Sequence, residues 1–217
     1  MRKSMHTWLK IIACWFLGMW SALAAAEQTS LIEYLHQAYA KVQYFEADFT
    51  QEKHIKFLSK PLISKGKIKF VKQQGMIWEI TSPIWVKTKI QDNQIFKTTD
   101  YENNKKVTDV QMKAVAQILT ELLSSQLDRV ESQFDVADLE HDEAQGQWQV
   151  KLMPKSMMIK KALQELVIFG QLSDDAEKQG ISQIKIVDQS GNHTKIQFES
   201  VRIKTDALTQ DLLDAFQ

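Results

Sequence analysis

The alternation of apolar and polar residues between Phe45 and Ile90 constrains the fold of this chain more than any other feature. A period of two is typical of β-strands that bury one face. Four such strands in succession predict an antiparallel meander with a wide apolar face, so what covers that face is the central question. The alternating segments are Phe45-Ala47-Phe49, Gly66-Ile68-Phe70, Met76-Trp78-Ile80 and Ile84-Val86-Ile90.

The beginning of the chain has the three parts of a secretory signal peptide. A basic start around Arg2 is followed by an apolar run at residues 11–23 and by the small residues Ala24–Ala26. The apolar run is shorter than the about 20 residues that span a membrane. We therefore expect a cleaved signal peptide at 1–26, a single domain at 27–217, and no integral membrane segment after processing.

Composition excludes several classes of function. Cys14 is the only cysteine and lies inside the predicted signal peptide, so the mature protein is expected to have no disulfide and no thiolate metal site. Removal of that segment also leaves 24 basic and 27 acidic residues. A slightly acidic balance gives no support to nucleic-acid binding.

The helices predicted by the sequence lie at the start, middle and end of the chain. Ser30–Glu33 forms a capping box that begins the first helix. Residues Val110–Leu123 have the period of an amphipathic helix, and Ala207–Phe216 is interpreted as a short final helix. Further strands are expected at Gln94–Thr99, Lys105–Thr108, Phe134–Leu139, Gln147–Met153, Glu165–Gln171, Ile181–Asp188 and His193–Val201, with a helical turn within Lys155–Leu163. This order predicts an α+β fold with an antiparallel sheet.

No pattern of catalytic or metal-ligating residues is present in the sequence. The histidines are widely spaced and do not form a metal-binding pair such as His-Glu-x-x-His. The acidic run from Asp135 to Glu143 lacks the spacing of a calcium loop and is interpreted as a solvated turn. We therefore predict that the protein is not an enzyme and holds no metal and no cofactor.

One side of the second predicted strand is basic, since Lys65, Lys67 and Lys69 alternate with its apolar residues. Two interpretations remain open. The lysines protect a strand face against aggregation, or they dock the protein on anionic lipid or on an acidic partner. Trp85 has the strand parity opposite to that of Trp78 and is predicted to face outward on the same docking side.

The apolar sheet face also allows two interpretations. It is either filled as an ordinary dry core, or it lines a cavity that accepts an acyl chain. The helix at Val110–Leu123 offers an apolar stripe that covers part of this face in both cases.

Three motifs in sequence order resemble the periplasmic outer-membrane lipoprotein carriers of the LolA family. They are Phe45–Gln51 (FEADFTQ), Ser64–Phe70 (SKGKIKF) and Met76–Pro83 (MIWEITSP). The resemblance implies an incomplete antiparallel β-barrel of about ten or eleven strands with a lid of α-helices over an apolar cavity. It further implies a periplasmic monomer that takes an acyl-modified lipoprotein or a (glyco)lipid from an inner-membrane donor complex to an outer-membrane acceptor.

On that interpretation the acyl chain contacts the inner side of the sheet and the apolar stripe of the middle helix. The predicted lipid-binding residues are Phe49, Phe70, Trp78, Ile80, Val86, Met112, Val115, Leu119 and Leu122. Burial of each CH₂ would contribute about 0.8 kcal/mol to binding.

The chain departs from the family pattern before its third strand, where it has Lys72–Met76 (KQQGM) instead of an arginine-proline pair. In the family that arginine ties the lid to the barrel and eases release. The departure indicates a divergent branch associated with glycolipids or polyene lipids. The alternative function is an interaction module that binds no lipid and docks on an envelope export or lipid-assembly machine.

Overall fold

The structure is a computed structural model, and it describes residues 36, 39–91, 94–106, 110–142, 144–173 and 180–210. The chain divides into a unit of residues 1–35 and a unit of residues 36–217, and the second unit contains all the described residues. The predicted signal peptide and capping box lie outside the described residues. No helix within the described ranges is long and apolar enough to cross a membrane.

Eleven strands form one antiparallel sheet in the order β6-β5-β4-β3-β2-β1-β11-β10-β9-β8-β7. Strands that follow one another in the chain pair with each other, except β6 and β7. β1 pairs with both β2 and β11 and so joins the two halves of the sheet. β6 and β7 are the two edges, so the sheet is open and the predicted incomplete barrel is confirmed. The strands are β1 Tyr44–His54, β2 Leu62–Val71, β3 Gly75–Ser82, β4 Val86–Gln91, β5 Gln94–Thr99, β6 Lys105–Lys106, β7 Phe134–Asp142, β8 Gln147–Pro154, β9 Glu165–Gln171, β10 Gly180–Val187 and β11 His193–Lys204.

Three helices are described completely: α1 Val110–Leu123, α2 Leu127–Gln133 and α3 Met157–Lys160. The bounds of α1 are those predicted from its apolar period. α2 was not predicted, because Val130 is its only buried residue and one residue gives no periodic signal. α3 lies within the predicted helical turn, and the Ser156 side chain accepts a hydrogen bond from the backbone N–H of Ile159 at 3.3 Å.

The main core lies on the side of the sheet that we call the inner face. On β1 this face bears Phe45, Ala47 and Phe49, all buried, and their partners on β2 are Phe70, Ile68 and Gly66. The predicted alternation is therefore confirmed, and burial of these side chains supplies the main driving force for forming the sheet.

A second, smaller apolar cluster lies on the opposite side of the sheet, which we call the outer face. Tyr44, Val71 and Ile77 are buried there, and Leu208 from the C-terminal segment packs against them. The Tyr44 hydroxyl donates a hydrogen bond of 2.8 Å to Glu46. The outer face is therefore not uniformly wet, although the β2 lysines do lie on it.

Two predicted boundaries are wrong. Ile84 was placed in the fourth strand, but β4 begins at Val86 and Ile84 is 64% exposed. Pro83 has no N–H to give to the sheet, which favours a strand break at this point. The final helix was predicted to begin at Ala207, yet residues 207–209 are not helical. Residue 210 is helical, and the remainder of that prediction, at 211–216, lies outside the described residues.

We predict that Gly66→Ala destabilises the protein by about 1–3 kcal/mol, the usual cost of overpacking. A Cβ atom at this position would collide with the carbonyl oxygen of Glu79 and would lie 2.7 Å from Cζ of Phe49. Urea unfolding measures the effect. The neighbouring Lys67→Ala, on the outer face, should stay within about 0.5 kcal/mol of wild type, and equal effects of the two variants would contradict the predicted role of Gly66.

Candidate functional site

Four aromatic rings form a cluster on the inner face. The ring centroids of Phe49 and Trp78 lie 4.7 Å apart, and Phe198 lies 6.4 Å from Trp78 and 6.3 Å from Phe45. Such tilted and edge-on pairs contribute about 0.5–1.5 kcal/mol each beyond simple burial. The absence of a side chain at Gly66 leaves room for the Phe49 ring, so the cluster depends on that glycine.

An apolar cavity of about 190 Å³ opens between this cluster and α1. The sheet contributes Trp78, Ile80 and Ile90 to its wall, and α1 contributes Met112 and Val115. Its other apolar lining residues are Ala116, Ile186 and Ile196. Gln51 and Lys53, near the end of β1, are polar residues of the lining.

The structure brings together some of the predicted lipid-binding residues and not others. Trp78, Ile80, Met112 and Val115 line the apolar cavity directly. The remaining predicted residues do not line it: Phe49 packs beneath Trp78, Leu119 and Leu122 are buried on α1, Val86 pairs with Ile80, and Phe70 lines a second cavity.

The apolar cavity is small in this conformation. Pockets that hold whole ligands usually measure about 300–1,000 Å³, whereas this one measures about 190 Å³. α1 forms one wall, so movement of α1 away from β3 would enlarge the cavity. Part of the predicted binding site, including Leu119 and Leu122, is therefore packed against other residues in this conformation.

A second cavity of about 610 Å³ lies beside the C-terminal part of α1 and is predominantly polar. Phe70, Ile90 and Ile95 provide apolar wall, and Ile90 lines both cavities. Lys72, Lys113 and Arg129 provide positive charge. The other polar residues that line the cavity are Gln73, Gln74, Gln91, Gln117, Gln126, Gln133, Thr120, Ser124 and Ser132.

Glu121 is the unusual residue of the polar cavity, because this acidic residue is only 5% exposed. Its Oε1 accepts hydrogen bonds from Nε2 of Gln117 at 2.9 Å and from Nε2 of Gln133 at 3.3 Å. Its Oε2 is buried without a hydrogen-bond partner among the described residues. Burial raises the pKa of Glu121, against the hydrogen bonds from the two glutamines and the charge of Arg129, which lower it.

Lys72, in the segment that lacks the family's arginine-proline pair, has a structural contact. Its Nζ donates a hydrogen bond of 2.8 Å to the backbone carbonyl of Ala40. Ala40 lies in a helical segment that precedes β1. The connection between β2 and β3 is thus joined to that segment by a lysine.

Two of the predicted docking lysines are occupied by ion pairs on the outer face. Lys67 lies 3.7 Å from Asp48, and Lys69 lies 3.7 Å from Glu46, which also pairs with Arg202 at 2.7 Å. Neighbouring carboxylates therefore offset the charge of the basic strand face. The predicted docking role of these lysines stays a prediction.

Trp85 does not line the apolar cavity and lies in the connection just before β4. Its Nε1 donates a hydrogen bond of 2.7 Å to Glu79, which is on the outer face of β3. The indole is half-buried, and this contact fixes its orientation.

Exposed apolar side chains cluster where β1 turns into β2 and where β3 turns into β4. Lys65 pairs with Ser82, so the start of β2 lies next to the β3–β4 connection. We call residues 55–63 together with Ile84 the basic apolar patch, since Lys56 and Lys60 lie among its apolar residues. Its exposed apolar members are Phe57 (95%), Leu58 (48%), Leu62 (50%), Ile63 (44%) and Ile84 (64%).

Sequence reasoning missed both the basic apolar patch and Glu121. The segment from Ile55 to Ile63 has no strand period, yet its combination of lysines with Phe57 and Leu58 was a readable signal. Glu121 interrupts the pattern of a helix that was treated only by its apolar stripe. The sequence could have indicated it as an acid within an otherwise apolar turn next to Leu122 and Leu123.

Titratable groups elsewhere form no candidate site. His54 and His193 stack with their ring centroids 4.3 Å apart where β1 and β11 pair. Asp142 Oδ1 accepts hydrogen bonds from the backbone N–H groups of Ala144 and Gln145. The acidic run from Asp135 to Asp142 lies in β7, so its interpretation as a turn is wrong. Among the described residues no group of His, Cys, Asp and Glu is placed to hold a metal ion.

The geometry defines a class of fold, in which an open antiparallel sheet and a covering helix enclose an apolar cavity. A family model described as outer membrane lipoprotein carrier protein LolA matches residues 40–212. The match covers most of the chain, so the protein belongs to the LolA family, and the resemblance inferred from its motifs is confirmed. No curated protein matches the chain.

Solved structures resemble the chain at low identity. One is a LolA superfamily protein from Nitrosomonas europaea, with 8% identity, 83% of this chain and 96% of that chain covered, and a TM-score of 0.49. Another is a DUF1329 family protein from Desulfovibrio piger, with 11% identity, 86% and 96% covered, and a TM-score of 0.47. Similarities at this level carry no argument about function.

We predict that Glu121→Gln stabilises the protein more at pH 7 than at pH 4. The pKa of Glu121 is raised in the folded state. Its contribution to the free energy of unfolding is therefore complete below the pKa of about 4.3 that a glutamate has in the unfolded chain, and it is lost as pH rises through the folded-state pKa. Glutamine does not titrate in this range, so the variant should lack this dependence of stability on pH. Urea unfolding measured across the pH range tests this prediction. Glu131→Gln, which removes an exposed carboxyl on α2, is the control. Parallel profiles of stability against pH for wild type and Glu121→Gln would contradict the prediction.

Proposed function

We propose that this protein is a periplasmic carrier that binds an acyl-modified lipoprotein or a lipid by its acyl chain and carries it between the inner and outer membranes. Membership of the LolA family supports the carrier class. The observation that carries the proposal is the apolar cavity, whose wall combines Trp78 and Ile80 of the sheet with Met112 and Val115 of α1. An inner-membrane donor complex and an outer-membrane acceptor are the partners this function needs.

Burial of apolar surface would drive binding. Each CH₂ removed from water contributes about 0.8 kcal/mol, so several methylenes suffice for a stable complex. Release then requires an acceptor that offers the chain a comparably apolar environment. No step involves bond cleavage, so we propose no catalysis and no cofactor, and a monomer is sufficient for this mechanism.

The small volume of the cavity implies a conformational step. A complete acyl chain requires α1 to shift from β3, since the remaining walls belong to the hydrogen-bonded sheet. Displacement of α1 would add Leu119 and Leu122 to the lining, as the sequence predicted. The carrier therefore alternates between a closed form with packed apolar side chains and an open form that exposes them to the chain.

We expect delipidated protein to bind a brominated fatty acid in a saturable manner, with strong quenching of tryptophan fluorescence. Trp78 lines the apolar cavity and would contact the bromine atoms, whereas Trp85 and Trp148 do not line it. In Trp78→Phe the quenching should fall by more than half while an unlabelled binding assay still shows saturation. In Trp85→Phe the quenching should remain.

Met112→Glu places a charge in the cavity wall and should weaken fatty-acid binding at least tenfold, which corresponds to about 1.4 kcal/mol. Ile84→Glu introduces the same charge at an exposed position outside the cavity and serves as the matched control. Equal affinities of wild type and folded Met112→Glu would refute the proposed acyl site.

A second observation bears on delivery, and it concerns the basic apolar patch. Phe57 is 95% exposed, and lysines flank it at positions 56 and 60. Aromatic side chains enter the headgroup region of a bilayer, and lysines near the surface contribute about 1 kcal/mol each toward anionic lipid. We therefore propose that the patch docks on an anionic membrane surface, with Lys65 at its border.

Phe57→Ser should reduce binding to vesicles rich in phosphatidylglycerol severalfold, and the residual binding should fall with added salt. Tyr101→Ser is the matched control, because Tyr101 is 93% exposed but stands between Asp100 and Glu102. Cosedimentation with vesicles measures both variants. Equal loss in the two variants, or undiminished binding of Phe57→Ser, would overturn the docking proposal.

The alternative function, an interaction module that binds no lipid and docks on an envelope export machine, makes an opposite prediction. Fatty acid would not bind, and charge reversal at Lys65, Lys67 and Lys69 would abolish activity. The ion pairs of Lys67 and Lys69 with Asp48 and Glu46 leave that face less positive than the sequence suggests. They favour the carrier.

A further inference from the structure

The polar cavity beside the C-terminal part of α1 has an excess of positive charge. Its wall includes three cationic side chains, those of Lys72, Lys113 and Arg129. Glu121 is the single acidic residue among the described residues of the lining, and burial raises its pKa, which favours the neutral form. A cleft lined by charges of one sign concentrates ligands of the opposite sign.

Two of these cations are not neutralised by a neighbouring carboxylate. On the outer face of the sheet the lysines are paired, as Lys67 is with Asp48 at 3.7 Å. Lys113 and Arg129, in contrast, form no ion pair with any residue in the described part of the chain. Both side chains are exposed, so a ligand that enters the cavity can reach them.

Several neutral donors of the wall are already used within the protein. The hydroxyls of Thr120 and Ser132 each donate a hydrogen bond to a backbone carbonyl of their own helix. The side-chain amides of Gln117 and Gln133 donate to Glu121. The cationic side chains are therefore the strongest donors that this wall offers to a ligand, and charged donors favour an anionic acceptor.

The three cations come from separate elements that face the same space. Lys113 belongs to α1, Arg129 to α2, and Lys72 to the connection between β2 and β3. A guanidinium presents parallel N–H groups that match the oxygens of a phosphate or carboxylate. Nζ of Lys72 donates one hydrogen bond to the carbonyl of Ala40, and an ammonium has further hydrogens to donate. An oxyanion in the cavity would therefore be surrounded by donors.

The polar cavity adjoins the apolar one. Ile90 lines both cavities. Lys113 of the polar wall directly follows Met112 of the apolar wall, and successive residues of a helix point about 100° apart. An amphiphile with its chain against Met112 would therefore bring its polar end toward Lys113.

We propose that the polar cavity is an oxyanion subsite, in which Lys113 and Arg129, together with Lys72, bind the phosphate or carboxylate at the polar end of the cargo. This inference rests on the proposed acyl-carrier function and restricts the cargo to anionic amphiphiles. The same chemistry would attract a free anion such as inorganic phosphate, so the experiment separates these two sources.

The test compares two ligands with the same chain, dodecyl phosphate and octaethylene glycol dodecyl ether, each titrated calorimetrically below its critical micelle concentration. Wild type should bind the phosphate about tenfold more tightly than the neutral ether, as several partly exposed charge pairs predict. Added sodium chloride should reduce this preference, because salt screens exposed charges. In the double variant Lys113→Gln/Arg129→Gln the preference should fall to about threefold or less, with the affinity for the ether unchanged.

The matched control is the double variant Lys160→Gln/Lys161→Gln. It removes two exposed positive charges that do not line the cavity, so it should keep the preference of wild type. Lys113→Gln alone should lower the preference about threefold, and it replaces the double cavity variant if that variant does not fold.

The outcomes distinguish the subsite from the carrier. Equal affinities in wild type, a preference that survives in the cavity variants, or an equal loss in the control would overturn the subsite while leaving the acyl carrier intact. Failure of both dodecyl ligands to bind would overturn the carrier and the subsite together.

Inorganic phosphate identifies the source of the anion. Because the chain adds burial of several methylenes, inorganic phosphate should displace dodecyl phosphate only at a concentration about a hundredfold higher or more. Displacement at equal concentrations would indicate a site for the free anion and would overturn its assignment to the cargo.

Discussion

The packing of α1 against an open sheet is the interaction on which the rest of this structure depends. β6 and β7 are edges of the sheet, so strand pairing alone does not enclose the apolar inner face. α1 covers it by burying Val115, Leu119 and Leu122. A single helix covers only part of such a face, which leaves an apolar cavity toward one end of α1 and a polar cavity toward the other.

The sheet supplies most of the stability, whereas α1 is the part whose movement the proposed function requires. The sheet is held by backbone pairing and by the aromatic cluster of Phe49, Trp78 and Phe198, none of which requires α1 to stay in place. α1 contributes burial but also contains Glu121, whose Oε2 is buried without a hydrogen-bond partner among the described residues, which costs free energy. A helix that is less than optimally stable on its sheet is suited to movement, because functional segments come from the low-stability end of a structure.

Much of the fold could be predicted from the sequence, because alternation and helical period report which residues are buried. The bounds of α1, β5 and β9 follow from such patterns, as does the placement of Phe49 and Trp78 on one face. The candidate site was less accessible. Periodicity predicts that Leu119, Leu122 and Met112 lie on one face of the helix. Only the packing shows that Leu119 and Leu122 are buried while Met112 lines the cavity. Glu121 is notable for an oxygen without a hydrogen-bond partner among the described residues and Phe57 for its exposure. Neither property can be predicted from the type of the residue.

The proposed acyl site and the proposed docking surface are continuous along β1. Gln51 and Lys53 line the apolar cavity, and the basic apolar patch begins two residues later at Ile55. A protein that docks by Phe57 therefore presents this part of the cavity wall toward the membrane, next to α1 residue Met112. Attraction of Lys56 and Lys60 to anionic headgroups would hold the carrier in that orientation. Because the cavity would then lie close to the hydrocarbon core of the bilayer, an acyl chain leaving it there would cross less water than one leaving elsewhere, which lowers the barrier to transfer.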